Sequence, residues 1–168
     1  SLKPLGVGSP IRLKWTTAGF DWKKIDHVVS GGPYLLRGGK VLIDAEESGF
    51  GKSFAESRHP RTAMGITRSG DVIWLATDGR QEFSKGATLA ELAGLMAAQG
   101  CVDAVNLDGG GSTTIAMRTL VMNKPSDGRE RPVANGVLLF GAPVKPDPTA
   151  ATWRVNAPMN LASGTTAD

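Results

Sequence analysis

Three consecutive glycines, Gly109-Gly110-Gly111, close the apolar run Val102-Asp103-Ala104-Val105 and limit what this part of the chain can become. The run reads as a strand. Glycine reaches φ > 0 without a Cβ clash, so the chain can turn sharply there, with the carboxylate of Asp108 at the strand end. Ser112, Thr113 and Thr114 follow at once. Successive N–H groups in such a turn converge into an anion-binding concavity. A carboxylate beside an anion cradle suggests chemistry on a negatively charged substrate. The competing reading is a tight connection capped by Asp.

The rest of the pattern favours short strands. The 168 residues suit one domain, or a domain plus a tail, and include 22 glycines and 10 prolines. Gly38-Gly39 joins Tyr34–Arg37 to Lys40–Asp44, and Arg68-Ser69-Gly70-Asp71 joins Arg61–Thr67 to Val72–Thr77. Both are hairpin signals. Val72–Ala76 is nearly all apolar, as expected of a central strand covered on both faces. Ile11–Trp15 alternates like a strand, Asp21 caps a helical turn at 22–25, and residues 45–60 read as a loop. Thr88-Leu89-Ala90-Glu91 is a capping box opening a helix to Gln99, with Gly100 as its stop. One or two strands are expected within 113–122 and a last one over 133–139. The predicted fold is α+β: a mixed, mostly antiparallel sheet with one main helix packed on it. That helix joins two strands that are candidates for parallel neighbours.

Residues 141–168 lose all periodicity, with prolines at 143, 146, 148 and 158, and read as a Pro/Ala/Thr-rich linker or tail. The net charge of +3 is spread out with no Lys/Arg stripe, so no nucleic-acid partner is expected. The single cysteine, Cys101, reads as a buried apolar thiol. No apolar stretch is long enough to span a bilayer as a helix.

Charge gathers at strand ends. Asp78 and Arg80 follow one strand, Asp108 another, and Arg131 precedes a third, while Arg61 opens a strand. Two close carboxylates supply an acid and a base, and guanidinium forks suit phosphate oxygens. Independent turn aspartates and solvated arginines are the plainer alternative. Gly49-Phe50-Gly51-Lys52-Ser53 is not a phosphate-binding loop, because Glu46 stands where the first glycine is required. His27 and His59 have no zinc-type spacing. His59 precedes Pro60 in a loop, where a solvated or capping role is expected. No cofactor is expected; a divalent metal on Asp78, Asp108 and carbonyls is the minority alternative.

Four ordered strings carry a resemblance: 58–65 (RHPRTAMG), Thr77-Asp78-Gly79-Arg80, Asn106 to Thr114, and 130–135 (ERPVAN). With Ser30-Gly31-Gly32-Pro33-Tyr34 they resemble the phosphodiester glycosidase family, the match running from about Gly6 to Phe140. The resemblance implies a hydrolase that splits the bond between the anomeric carbon and phosphate of a sugar-1-phosphodiester. A cell-envelope or extracellular glycan would be its substrate. It implies Asp108 and Asp78 as catalytic carboxylates. Substrate binding would fall to Arg61, Thr62, Arg80, Gly109, Gly110, Gly111, Ser112, Arg131, Asn135, Gly31 and Gly32. An Asn-Gly-Gly-aromatic-Phe motif usual in the family is absent before Ser30. Residues 1–140 are therefore expected to be such a domain without its N-terminal part, with the missing half or a second copy as pairing partner. A non-catalytic module binding anionic glycans or wall polymers is the alternative function.

Overall fold

A computed structural model describes residues 6–14 and 21–141. Most of the expected 141–168 tail and the end of the 11–15 strand lie outside them. Residues 11–14 themselves form no strand.

The main sheet has five strands in the order β2-β1-β5-β3-β4. They are β1 (Tyr34–Arg37), β2 (Lys40–Val41), β3 (Arg61–Thr67), β4 (Val72–Thr77) and β5 (Cys101–Asn106). Every pairing is antiparallel. Helix α2 (Leu89–Ala98) packs on one face, giving the expected α+β architecture. Thr88 Oγ1 accepts from Glu91 N while Glu91 Oε2 accepts from Thr88 N, closing the capping box. Gly100 ends the helix at φ +82°. Leu89, Leu92, Ala93 and Met96 are buried against Leu35, Leu36, Ala63, Cys101 and Ala104. Gly65 lets the layers meet, since a Cβ there would stand 2.7 Å from Met96 Cε.

Four expectations are corrected. The apolar strand β4 is an edge strand, and Val72 is 58% exposed. Strands β4 and β5, joined through α2, do run in the same direction, but β3 lies between them. Residues 45–60 hold a short helix, α1 (Lys52–Glu56). Residues 133–139 form no strand and are exposed throughout, so an apolar run with no ladder partner among the described residues stays irregular. The 113–122 segment yields the small hairpin β6 (Ala116–Met117) and β7 (Leu120–Val121). Asp21 does cap a single 3-10 turn, Trp22–Lys24.

Because β1 and β3 run antiparallel to β5, their N-terminal ends meet the C-terminal end of β5. Gly31-Gly32, His59-Pro60-Arg61 and Asn106-Leu107-Asp108 thus come from three distant stretches of sequence to one edge of the sheet.

Candidate active site

A cleft of about 440 Å³ opens at that edge. It is lined by Gly31, Gly32, Arg61, Arg80, Asp108, Gly109, Gly110 and Arg131 among the expected residues, and by Phe50, Phe54, His59 and Asn106 besides. Three guanidinium groups therefore share one cavity with one carboxylate.

Arg61 is only 2% exposed. Its Nε donates to the Ala87 carbonyl (3.1 Å), and its Nη2 donates to the carbonyls of Phe54 (2.6 Å) and Ser57 (2.9 Å). The guanidinium lies 4.6 Å from the Phe54 ring centre. Neutral acceptors alone hold this buried cation. Burial first, and then Arg80, depress its pKa. An anion entering the cleft would compensate the charge.

Arg80 adopts φ +58°, and its Nη2 lies 3.2 Å from His59 Nδ1. A guanidinium only donates, so Nδ1 accepts and the proton of neutral His59 sits on Nε2. Desolvation, followed by the charges of Arg61 and Arg80, lowers the His59 pKa. The histidine is thus kept as a neutral donor beside two cations. Its backbone is fixed by reciprocal bonds with Ala87 (3.2 and 3.0 Å). Gly86 permits this, because a Cβ there would collide with the His59 main chain.

The triple-glycine turn works differently from the expected cradle. Its N–H groups are largely spent: Gly109 N on Asp108 Oδ1 (2.8 Å), Gly110 N on the Pro60 carbonyl (2.9 Å), and Ser112 N on the Gly109 carbonyl (3.1 Å). The glycines instead make room. A Cβ would sit 2.7 Å from the Pro60 oxygen at Gly109 and 3.2 Å from Arg80 Nη1 at Gly110. At Gly111 it would collide with both Arg131 and Asp127. Arg131 donates through Nε (2.9 Å) and Nη2 (2.7 Å) to Asp127 Oδ2, so much of its charge is already matched.

The remaining expected site residues stand apart from the cleft lining. Asp78 Oδ1 accepts from Lys124 N (2.9 Å) and Asn123 Nδ2 (3.2 Å), tying the loop after β4 to the β6–β7 region. The second carboxylate is thus engaged by the β6–β7 region and is not among the residues lining the cleft. Thr62 donates to Thr113 Oγ1 (3.2 Å). Ser112 lies outside the lining, and Asn135 is exposed in the irregular 132–141 stretch. Among the described residues no group of three or more His, Cys, Asp and Glu side chains is placed to hold a metal. None of their helices is long and apolar enough to cross a membrane.

The cleft thus gathers three arginines around a single carboxylate at converging strand ends. The chain belongs to the phosphodiester glycosidase family, whose profile matches residues 3–140. It is 34% identical over 109 residues to N-acetylglucosamine-1-phosphodiester alpha-N-acetylglucosaminidase of Mus musculus, covering 60% of this chain and 21% of that one. It is 38% identical over 82 residues to the SPbeta prophage-derived uncharacterized protein YomE of Bacillus subtilis (strain 168), covering 49% and 13%. The chain thus spans about a fifth or less of these relatives. It also resembles the solved zebrafish N-acetylglucosamine-1-phosphodiester alpha-N-acetylglucosaminidase catalytic domain, auto-inhibited by its pro-peptide. There the TM-score is 0.52 at 31% identity, covering 58% of this chain and 34% of that one. A hypothetical protein from Synechocystis gives a TM-score of 0.52 at 32% identity, covering 58% and 18%.

Proposed function

We propose that the protein hydrolyses a sugar-1-phosphodiester at the bond between the anomeric carbon and the phosphate oxygen. The observation that carries this is the placement of Arg61 and Arg80 in one cleft with Asp108. The phosphate occupies the guanidinium side, with His59 Nε2–H as an uncharged donor and Arg131 as a third, partly neutralised cation. Asp108 faces the anomeric carbon. A water oxygen attacks that carbon, its proton passes to Asp108, and the C–O bond breaks with its electron pair on the phosphate oxygen. The products are the free sugar and a phosphomonoester.

One carboxylate suffices for this leaving group. An ordinary glycosidase must protonate a departing alcohol, hence its second carboxyl. A phosphomonoester has a second pKa of about 6, so it departs as an anion without a proton donor. Guanidinium groups that stabilise the growing charge replace the acid. The position of Asp78 outside the cleft is consistent with that division of labour. The reading extends to a cell-envelope or extracellular glycan as substrate.

The test is hydrolysis of a glycosyl phosphodiester by the intact protein in ¹⁸O-labelled water. Label is expected in the sugar and none in the phosphomonoester. Label in the phosphate would indicate P–O cleavage and overturn the reading. Binding without turnover would favour a module that only holds anionic glycans.

A further inference from the structure

The third cation of the cleft carries a counter-charge that the chemistry above leaves unexplained. Arg131 lines the cleft, and its Nε and Nη2 donate to one oxygen of Asp127, at 2.9 and 2.7 Å. Both side chains are half-exposed, so the pair contributes little to stability. Yet the glycine turn is shaped around it. Gly111 is buried, and a Cβ there would collide with Arg131 Nη2 and Asp127 Oδ2 at once.

The loop that carries Asp127 is held from behind. Asp78 Oδ1 accepts from Lys124 N (2.9 Å), and Gln81 Nε2 donates to the Lys124 carbonyl (2.6 Å). Gly128, at φ +75°, donates from its N to the Pro125 carbonyl (3.0 Å) and closes a turn over 125–128. The backbone bearing the carboxylate is thus fixed beside the cleft by bonds that do not involve Arg131.

Charge then decides what the cleft accepts. Arg61, Arg80 and Arg131 bring three positive charges, and Asp108 and Asp127 bring two negative ones. With His59 neutral, one positive charge is left. A phosphodiester carries one negative charge and matches it. A phosphomonoester, with a second pKa of about 6, carries nearly two above neutral pH. Its second charge meets the Asp127 carboxylate across a single guanidinium. A carboxylate so placed opposes a dianion twice as strongly as a monoanion.

We propose that Asp127 is a positioning residue for Arg131 whose carboxylate limits the anion held in the cleft to one charge, so that the phosphomonoester product is released rather than retained. The account of the product rests on the glycosidase reading above; the charge limit is a property of binding alone.

The experiment measures binding of two small anions to the intact protein by calorimetry. At pH 8 dimethyl phosphate is a monoanion and methyl phosphate a dianion. The unmodified protein should hold the dianion no more than about threefold tighter than the monoanion. In Asp127→Asn the preference for methyl phosphate should rise by roughly 3- to 10-fold, and Asp127→Glu should restore the native ratio. Misplacement of Arg131 alone would weaken both anions and leave their ratio where it was, so an unchanged ratio in Asp127→Asn overturns the inference. If that variant does not fold, the unmodified protein decides: a preference within about threefold supports the limit, and a larger one refutes it. If neither anion binds, the inference fails. Turnover of a glycosyl phosphodiester is followed separately. Where it occurs, inhibition by accumulating phosphomonoester should deepen in Asp127→Asn. A protein that shows the expected ratios and turns nothing over keeps the charge limit and loses the glycosidase reading.

Discussion

Arg80 lies directly over Gly110: a Cβ on that glycine would be 3.2 Å from Nη1 and 3.3 Å from Nη2. Gly110 also sits at φ +60°, where an L side chain is strained. Gly110→Ala should therefore cost about 1–2 kcal/mol, a fall in Tm of roughly 2–8 °C. It should also displace the guanidinium and lower kcat/KM by more than the modest stability loss explains. Thermal melts alongside kinetics on a glycosyl phosphodiester check both parts. Unchanged kinetics would separate Arg80 from phosphate binding.

Arg61 is expected to be irreplaceable by lysine. Its fork serves three carbonyls, a geometry that a single ammonium does not reproduce. Arg61→Lys should lose about 2–4 kcal/mol in denaturant unfolding. It should also weaken inhibition by inorganic phosphate.

The two aspartates should behave oppositely. Asp108→Asn is expected to lower kcat by about 10²- to 10⁴-fold with little change in Tm. Asp78→Ala removes the acceptor for Lys124 N and Asn123 Nδ2. It should lower Tm while the molecules that remain folded keep most of their turnover. A loss of turnover in Asp78→Ala without destabilisation would place Asp78 in the chemistry after all.

His59 should titrate below its ordinary value of 6.5, because burial and then Arg61 and Arg80 oppose its charge. The unfolded chain then binds the proton first as pH falls. The histidine's contribution to stability is whole above about pH 6.5 and declines as pH drops toward the folded-state pKa. An NMR titration of the His59 ring should give a midpoint under 6.5, rising in Arg80→Ala. A midpoint at or above 6.5 in the unmodified protein would contradict this.

Cys101 is buried, and its thiol pKa is raised by desolvation. Thiol reagents should label it only on unfolding, at a rate that tracks denaturant concentration.

Local chemistry was the part of the fold written most plainly in the sequence. The turn at 68–71, the capping box at Thr88 and the stop at Gly100 are each decided by neighbours in the chain, and strands β3 and β4 have the expected bounds. Place within the sheet is decided by distant partners. The apolar run of β4 therefore looks central but forms an edge, and 133–139 looks like a strand but pairs with none of the described residues. The site divides in the same way. Asp108, Arg61, Arg80 and Arg131 stood out as charges at strand ends, and they share the cleft. Phe50, Phe54 and His59 lie in or beside a segment read as a loop. Asp127 belongs to no pattern in the sequence; its place emerges only when Arg131 and Gly111 are seen beside it.

Strand β5 is the last of the five in sequence, yet it lies between β1 and β3, which are themselves not paired with each other. Without it, the two hairpins are not joined and Arg61 and Asp108 are not held in one cleft. Assembly of the cleft thus depends on closure of the sheet. A ligand that grips both Arg61 and Asp108 would fasten that central strand in place, and the protein should resist local opening there most strongly when it is occupied.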